Sequence, residues 1–393
     1  MNSYFEFLNS VKLLCGAHSL ERLPHEMHLL GATRALLLSD AILEKIGTLD
    51  KVRQALGDAM DSVSYTDIPV DSSLNKVNEL VALYKAQGCD CIIAVGGGSV
   101  IDTAKGVRLV LSQDSDDLLS FCGMESLKRG RAIPFAVIPT TAGTGSECTG
   151  VAVIKNEAAK LKMEFVSPYV MPDMAILDPE MTLSLPAKAT ASTAMDALCH
   201  AIEGHSCLQA NPVSSSFATL AIKLISQNVL QATTKPSDKT ARTNMAIASC
   251  MAGIAFSNSM VGLVHATGHV LGAQCRVPHA VVMAILLPHV MRYNLGVCAE
   301  SYAELLIYLA PDVYAAHAGE STEKRALCAI EAVENLLKSL NKACDMPLRL
   351  RDTGVTEADF LPIAKDAVND GAIIYNPRTA GVDEIVAILK QAF

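Results

Sequence analysis

Four side chains in the second half of the chain, Asp196, His200, His265 and His279, are of the types and at the spacings that suit one metal ion. Asp196 and His200 stand four apart in Thr193-Ala194-Met195-Asp196-Ala197-Leu198-Cys199-His200-Ala201-Ile202-Glu203. On a helix that spacing places both on one face, about one turn apart. His265 and His269 repeat it in Gly262-Leu263-Val264-His265-Ala266-Thr267-Gly268-His269, and His279 follows Pro278, which fixes the local backbone. Of ten histidines, His200, His265, His269 and His279 lie in apolar, small-residue surroundings where an imidazole without a partner is costly. A single such histidine is more often a satisfied core residue than a ligand. Four with a helical aspartate point to a cation, and one carboxylate oxygen with three imidazole nitrogens suits Fe²⁺ or Zn²⁺, with Mn²⁺, Co²⁺ or Ni²⁺ able to enter.

A second kind of chemistry lies upstream. Gly96-Gly97-Gly98-Ser99 follows an apolar run and precedes Val100-Ile101-Asp102-Thr103-Ala104-Lys105, which has helix-forming character. Such a turn lets backbone N–H groups and a helix N-terminus approach a pyrophosphate, although a triple glycine also serves simply as a tight strand-to-helix turn. Pro139-Thr140-Thr141-Ala142-Gly143-Thr144-Gly145-Ser146-Glu147 is a second polar loop after an apolar strand. Two such loops at the carboxyl edge of one parallel sheet suggest a ligand with several hydrogen-bonding groups. Asp40 ends the first strong strand, where a carboxylate accepts from a ribose 2′-OH and repels a 2′-phosphate, favouring NAD over NADP; equally, it can be the N-cap of a helix beginning at Ala41.

The elements that must position these groups follow from periodicity. From Arg34 to about Leu177, β-rich runs at 35–39, 91–95 and 135–138 alternate with helical patterns at 49–59 and 74–87, and a hairpin is expected from 151–154 and 163–166. This rhythm predicts an α/β N-terminal domain with a Rossmann-like parallel sheet, residues 1–185. Beyond Pro186 the sequence becomes rich in Ala, Met, Leu and Ser, which predicts an all-α, metal-binding C-terminal domain over residues 186–393.

Composition narrows the partners. A formal net charge of -9 and the lack of a Lys/Arg cluster argue against nucleic acid and for a small-molecule partner. No signal-like start and no membrane-length apolar run is read, so a cytoplasmic protein away from membranes is expected. Twelve cysteines without a C-x-x-C pair read as reduced, mostly buried thiols.

The Gly96–Ser99 turn with Asp102 and Lys105, the 140–147 loop, the Asp196/His200 and His265/His269 segments, Pro278-His279-Ala280, Leu287-Pro288-His289 and Asn376-Pro377-Arg378 together resemble the iron-containing (group III) alcohol dehydrogenases of the dehydroquinate synthase-like superfamily. The likeness runs from about Tyr4 to Phe393. It implies a dehydroquinate synthase-like fold, NAD, a divalent metal with Fe²⁺ ahead of Zn²⁺, a small alcohol or aldehyde substrate, and a homodimer or higher homo-oligomer. By the same likeness Asp196, His200, His265 and His279 are the metal ligands, His269 is a proton relay beside the substrate, and Phe256 flanks nicotinamide and substrate. Asp40, Gly97, Gly98, Ser99, Asp102, Thr140, Thr141, Thr144, Ser146 and Lys162 become the cofactor set. The function implied is hydride transfer between a small primary alcohol or diol and NAD. Glycerol- or polyol-type relatives of the same superfamily, and a metal or nucleotide sensor without turnover, are the alternatives. His205-Ser206-Cys207 and Gln274-Cys275-Arg276 depart from the usual pattern, which bears on substrate identity; His205 is assigned towards the cleft.

Overall fold

A computed structural model describes residues 4–122, 127–159 and 161–393. The chain forms two units, Leu8–Ser184 and Leu185–Phe393, the second joined by the N-terminal residues up to Phe7. Phe7 stacks on Phe217 with ring centroids 5.5 Å apart, which ties that segment to the second unit.

The first unit contains β1 Lys12–Cys15, β2 Arg34–Leu38, β3 Asp61–Tyr65, β4 Cys91–Gly96, β5 Phe135–Pro139, β6 Val151–Asn156, β7 Leu161–Val166 and β8 Met174–Leu177. Its helices are α1 Leu23–Leu29, α2 Ala41–Lys45, α3 Thr48–Leu56, α4 Leu74–Ala86 and α5 Gly98–Ser112. Six strands pair in parallel in the order β1-β8-β5-β4-β2-β3, while β6 and β7 form an antiparallel hairpin. Alternation along each strand builds two cores. Leu36, Leu38, Ile92, Ala94, Phe135 and Val137 face Val77, Leu80, Val107 and Val110 of α4 and α5. Leu37, Cys91, Ile93, Val95 and Ile138 face Leu23, Met27, Leu49 and Val52 of α1 and α3. A sheet covered on both faces needs near-continuous apolar strands, and β4 and β5 are buried along their whole length.

The expected strands and hairpin are present; β3 and β8 join them in the sheet, and β1 is added at its edge. Only four residues long, it pairs in register with β8, Lys12 opposite Met174 through Cys15 opposite Leu177. From β2 the chain places β3 on one side and then returns to place β4 on the other. That reversal opens a crevice at the carboxyl ends of β2 and β4, where open α/β sheets bind ligands.

The second unit is helical, with no strand among its described residues: α6 Ala187–Ser206, α7 Pro212–Thr234, α8 Lys239–Ser257, α9 Leu263–Cys275, α10 His279–Leu309, α11 Pro311–His317, α12 Thr322–Cys344, α13 Phe360–Ala367 and α14 Val382–Ala392. From Thr190 to His205, α6 is buried at nearly every position, so it runs through the middle of this unit. By length and composition α10 passes as a membrane span, but 67% of its most apolar window is buried inside the protein, as in a core helix. Proline stands at the start of both α7 and α10, where its missing N–H costs nothing: Pro212 is the first residue of α7 after the Asn211 cap, and Pro278 is the N-cap of α10.

Candidate active site

Three helices of the second unit bring the expected ligands together. Asp196 and His200 lie one turn apart on α6, His265 and His269 one turn apart on α9, and His279 is the first residue of α10. Asp196 Oδ1 lies 3.6 Å from His279 Nε2 and 3.9 Å from His265 Nε2. The His200 ring stacks on His265 at 4.5 Å between centroids, and His265 and His279 are 5.7 Å apart. One donor atom each from Asp196, His265 and His279 fits within 4.8 Å.

These contacts are too long for hydrogen bonds. Two ligands about 2.1 Å from one tetrahedral ion stand roughly 3.4 Å apart, close to what is seen. Asp196 Oδ1 and His265 Nε2 are both buried and make no hydrogen bond. A buried polar atom without a partner costs free energy, so two that converge on one point constitute a site for a cation. Burial, with Glu203 as a lesser cause, pushes the Asp196 carboxyl well up, and burial with His269 nearby pushes His265 well down. A divalent ion reverses both costs, so the residues present fit the implied metal.

Glu203 orders the cluster from behind. Its Oε2 is 2.5 Å from His265 Nδ1 and its Oε1 accepts from Val264 N at 2.7 Å. With Nδ1 so engaged, His265 presents Nε2 to the ligand group. Burial raises the Glu203 carboxyl to about 7. Cys199 Sγ stands 3.8 Å from His265 Nδ1, but burial holds its thiol well up, so it packs as a thiol. Phe256 stacks on the far side of His200, centroids 4.3 Å apart, and so lies against the ligand cluster. His269 stands beside the ligands, 5.5 Å from His279 and 5.7 Å from His265 between rings, with Nδ1 3.0 Å from Asp370 Oδ2. His205 is not part of the cluster: its Nδ1 meets Ser301 Oγ at 2.8 Å and its Nε2 lies 4.0 Å from Glu304, so the ring is directed to α10.

The cofactor residues assemble within the first unit. Gly97 caps α5 without a side chain, and Thr140 N bonds Gly96 O at 3.0 Å, joining the loops after β4 and β5. A Cβ on Gly97 would lie 3.3 Å from Thr141 Cγ2, and one on Gly98 3.0 Å from Thr144 Cγ2. The two loops are therefore packed as closely as bare backbone allows, leaving a helix N-terminus fit for a phosphate. Asp40 takes the cap alternative: its Oδ1 accepts from Ile42 N and Leu43 N, both at 2.9 Å. That role engages Oδ1 and keeps the carboxylate at the carboxyl end of β2, beside the crevice.

Ser99, Asp102, Ser146 and Lys162, expected at the cofactor, also have side-chain partners inside the protein. Ser99 donates its hydroxyl to Val70 O. Ser146 Oγ donates to Asp102 Oδ1 at 2.6 Å, and Asp102 Oδ2 accepts from Val153 N at 3.0 Å. The cause is Lys105, whose side chain is fully buried and must be satisfied internally. Its Nζ donates to Ser146 Oγ at 3.0 Å, Thr149 Oγ1 at 2.9 Å and Val151 O at 2.6 Å. Asp102, Lys105 and Ser146 thus fasten the second loop to α5. Lys162, half-exposed on β7, pairs with Asp71 at 3.1 Å.

Glu203 and Asp370 meet the Nδ1 atoms of His265 and His269, and neither stood among the expected site residues. Glu203 had a signal: with Asp196 and His200 it completes an i, i+4, i+7 stripe on α6. Asp370 had none, being 101 residues beyond its partner.

Sequence comparison converges with this geometry. The family described as iron-containing alcohol dehydrogenase matches residues 10–179, and the C-terminal part of the Fe-containing alcohol dehydrogenase family matches residues 190–393. The chain is 38% identical over 392 residues to a 1,3-propanediol dehydrogenase of Citrobacter freundii, covering 99% of each. It is 36% identical over 364 residues to an NAD-dependent methanol dehydrogenase of Bacillus methanolicus, covering 92% of this chain and 93% of that one. A crystal structure of 1,3-propanediol oxidoreductase superposes with a TM-score of 0.94 at 36% identity, covering 99% of this chain and 100% of that one. An alcohol dehydrogenase from Oenococcus oeni gives 0.92 at 33% identity over 99% and 100%.

Proposed function

The chain belongs to the iron-containing alcohol dehydrogenase family, and from that premise we propose that it interconverts a small primary alcohol or diol and its aldehyde, using NAD and one divalent metal ion. The observation that carries this reading is the buried, hydrogen-bond-free pair Asp196 Oδ1 and His265 Nε2, with His279 Nε2 converging on the same oxygen.

Asp196, His200, His265 and His279 would hold the ion. Bound there, it supplies Lewis acidity towards an alcohol or aldehyde oxygen. Fe²⁺ is the first choice because of the family, and Zn²⁺ suits the same oxygen and nitrogen donors. Glu203 fixes the His265 tautomer, and Phe256 braces the His200 ring, so the protein's own contacts preorganise the ligands.

The Gly97–Gly98 turn and the threonine-rich loop would take the cofactor's pyrophosphate, with Asp40 turned to the adenosine ribose. NAD supplies the two-electron acceptor or donor. The similarity to a protein named for NAD dependence supports this choice. In the oxidation direction the cofactor would supply the hydride acceptor, and His269, whose side chain is 31% exposed, would take the hydroxyl proton at Nε2 and release it to solvent. Relatives named for 1,3-propanediol and methanol favour a short-chain alcohol or diol.

The test uses anaerobically purified protein, NAD⁺, and a panel of methanol, ethanol, 1-propanol, 1,3-propanediol and glycerol, followed by NADH absorbance. NADH formation with the short primary alcohols or the diol is expected. Turnover confined to glycerol would move the assignment to a polyol dehydrogenase, and no turnover in either direction would refute it.

A further inference from the structure

His269 needs one ring nitrogen free for a proton and the other held, since a loose imidazole divides between two tautomers and two ring orientations. The structure supplies a holder from a remote part of the chain. Asp370 Oδ2 lies 3.0 Å from His269 Nδ1, while Asp370 Oδ1 accepts from Ala372 N at 2.9 Å. The backbone therefore locks the carboxylate before it meets the ring. Six residues on, Asn376 Oδ1 accepts from Leu263 N at 3.2 Å, at the start of the helix that carries His269. Asn376 is itself held by a reciprocal amide pair with Asn294 of α10, each bond 2.9 Å. The segment from Asp370 to Asn376 thus grips α9 at both the His269 ring and the helix N-terminus. Stacking on His279 at 17° between ring planes fixes the orientation of the imidazole further.

We propose that Asp370 is the positioning residue of His269, holding Nδ1–H so that Nε2 is the nitrogen that exchanges the substrate's proton. This rests on the alcohol dehydrogenase reading above. In the oxidation direction the alcohol O–H bond breaks and an Nε2–H bond forms. NAD⁺, held by the Gly97–Gly98 turn and the threonine-rich loop, would supply the acceptor for the C–H electron pair, and the O–H pair would remain as the second C=O bond. The resulting imidazolium, with both nitrogens protonated, keeps its Nδ1–H on the Asp370 carboxylate, which offsets the new charge.

The experiment compares wild type with Asp370→Ala, His269→Ala and the double variant, recording kcat, metal content and NADH affinity. Asp370→Ala is expected to lower kcat roughly tenfold to hundredfold with metal content and NADH affinity unchanged. The double variant is expected to be no slower than His269→Ala alone, because Asp370 acts only through His269. An unchanged kcat in Asp370→Ala, or losses that multiply in the double variant, would overturn the proposal. A second readout needs no turnover: ¹H–¹⁵N long-range spectra of metal-free, ¹⁵N-histidine-labelled protein. The Nδ1–H tautomer of His269 is expected in wild type and its loss in Asp370→Ala. An Nε2–H tautomer in wild type contradicts the proposal, whether or not the protein oxidises alcohols.

Discussion

At the scale of residues, the proposed metal centre rests on buried polar atoms that have no hydrogen-bond partner. Asp196 Oδ1 and His265 Nε2 are buried without hydrogen bonds, and Glu203 makes that arrangement specific by accepting from both Val264 N and His265 Nδ1. Glu203→Gln keeps the shape but offers one accepting oxygen to two N–H donors. Metal affinity, measured by competition with a chelator, should fall roughly tenfold to hundredfold; an unchanged affinity removes Glu203 from the site. Asp40 separates two roles in one side chain. Asp40→Asn retains an oxygen able to cap α2, so the thermal midpoint should hold, while the loss of charge should lower the KM for NADP⁺ relative to NAD⁺. An unchanged ratio argues that Asp40 is a cap only. The clustering of Asp196, His200, His265 and His279 was legible because metal-binding chemistry uses few residue types and helical spacing brings them onto one face. The partners of Ser99, Asp102 and Ser146 were not, because a hydroxyl or carboxylate near a phosphate loop looks the same whether it faces a ligand or a buried lysine.

Among elements, the informative one is α5. Its first turn offers backbone N–H groups, while one turn further in Asp102 and Lys105 fasten the loop that packs on Gly97 and Gly98. The glycine turn and threonine loop therefore behave as one part. Lys105→Met conserves volume but leaves Thr149 Oγ1 and Val151 O without their donor, a loss on the order of 1–3 kcal/mol for each buried group left unpaired. The variant should melt earlier and bind NADH more weakly, with metal content unchanged. A lower melting point with unaltered NADH affinity would separate the lysine from the cofactor loops. Strands β2, β4 and β5 were readable from their apolar runs and following turns. The four-residue β1 was not, because its place depends on pairing with β8, more than 150 positions away in sequence.

For the whole molecule, the residues proposed for cofactor and for metal fall in two different units. The sheet unit holds every expected cofactor residue and the helical unit every expected ligand. The change from β-rich alternation to Ala- and Met-rich helices revealed that division in the sequence, whereas the attachment of Phe7 to the helical unit depends on one aromatic stack that no pattern announces. Because the two residue sets lie in different units, damage to one should leave the other's binding intact. The most direct test of the central claim is turnover against metal content, titrated with Fe²⁺ or Zn²⁺ in anaerobic, metal-depleted protein, for wild type and His265→Ala, with NADH binding recorded on each. Wild-type alcohol oxidation should rise in proportion to bound metal and saturate near one ion per chain. His265→Ala should neither retain metal nor turn over, yet bind NADH as wild type does. Full activity in metal-depleted wild type, or in His265→Ala without metal, would contradict the claim.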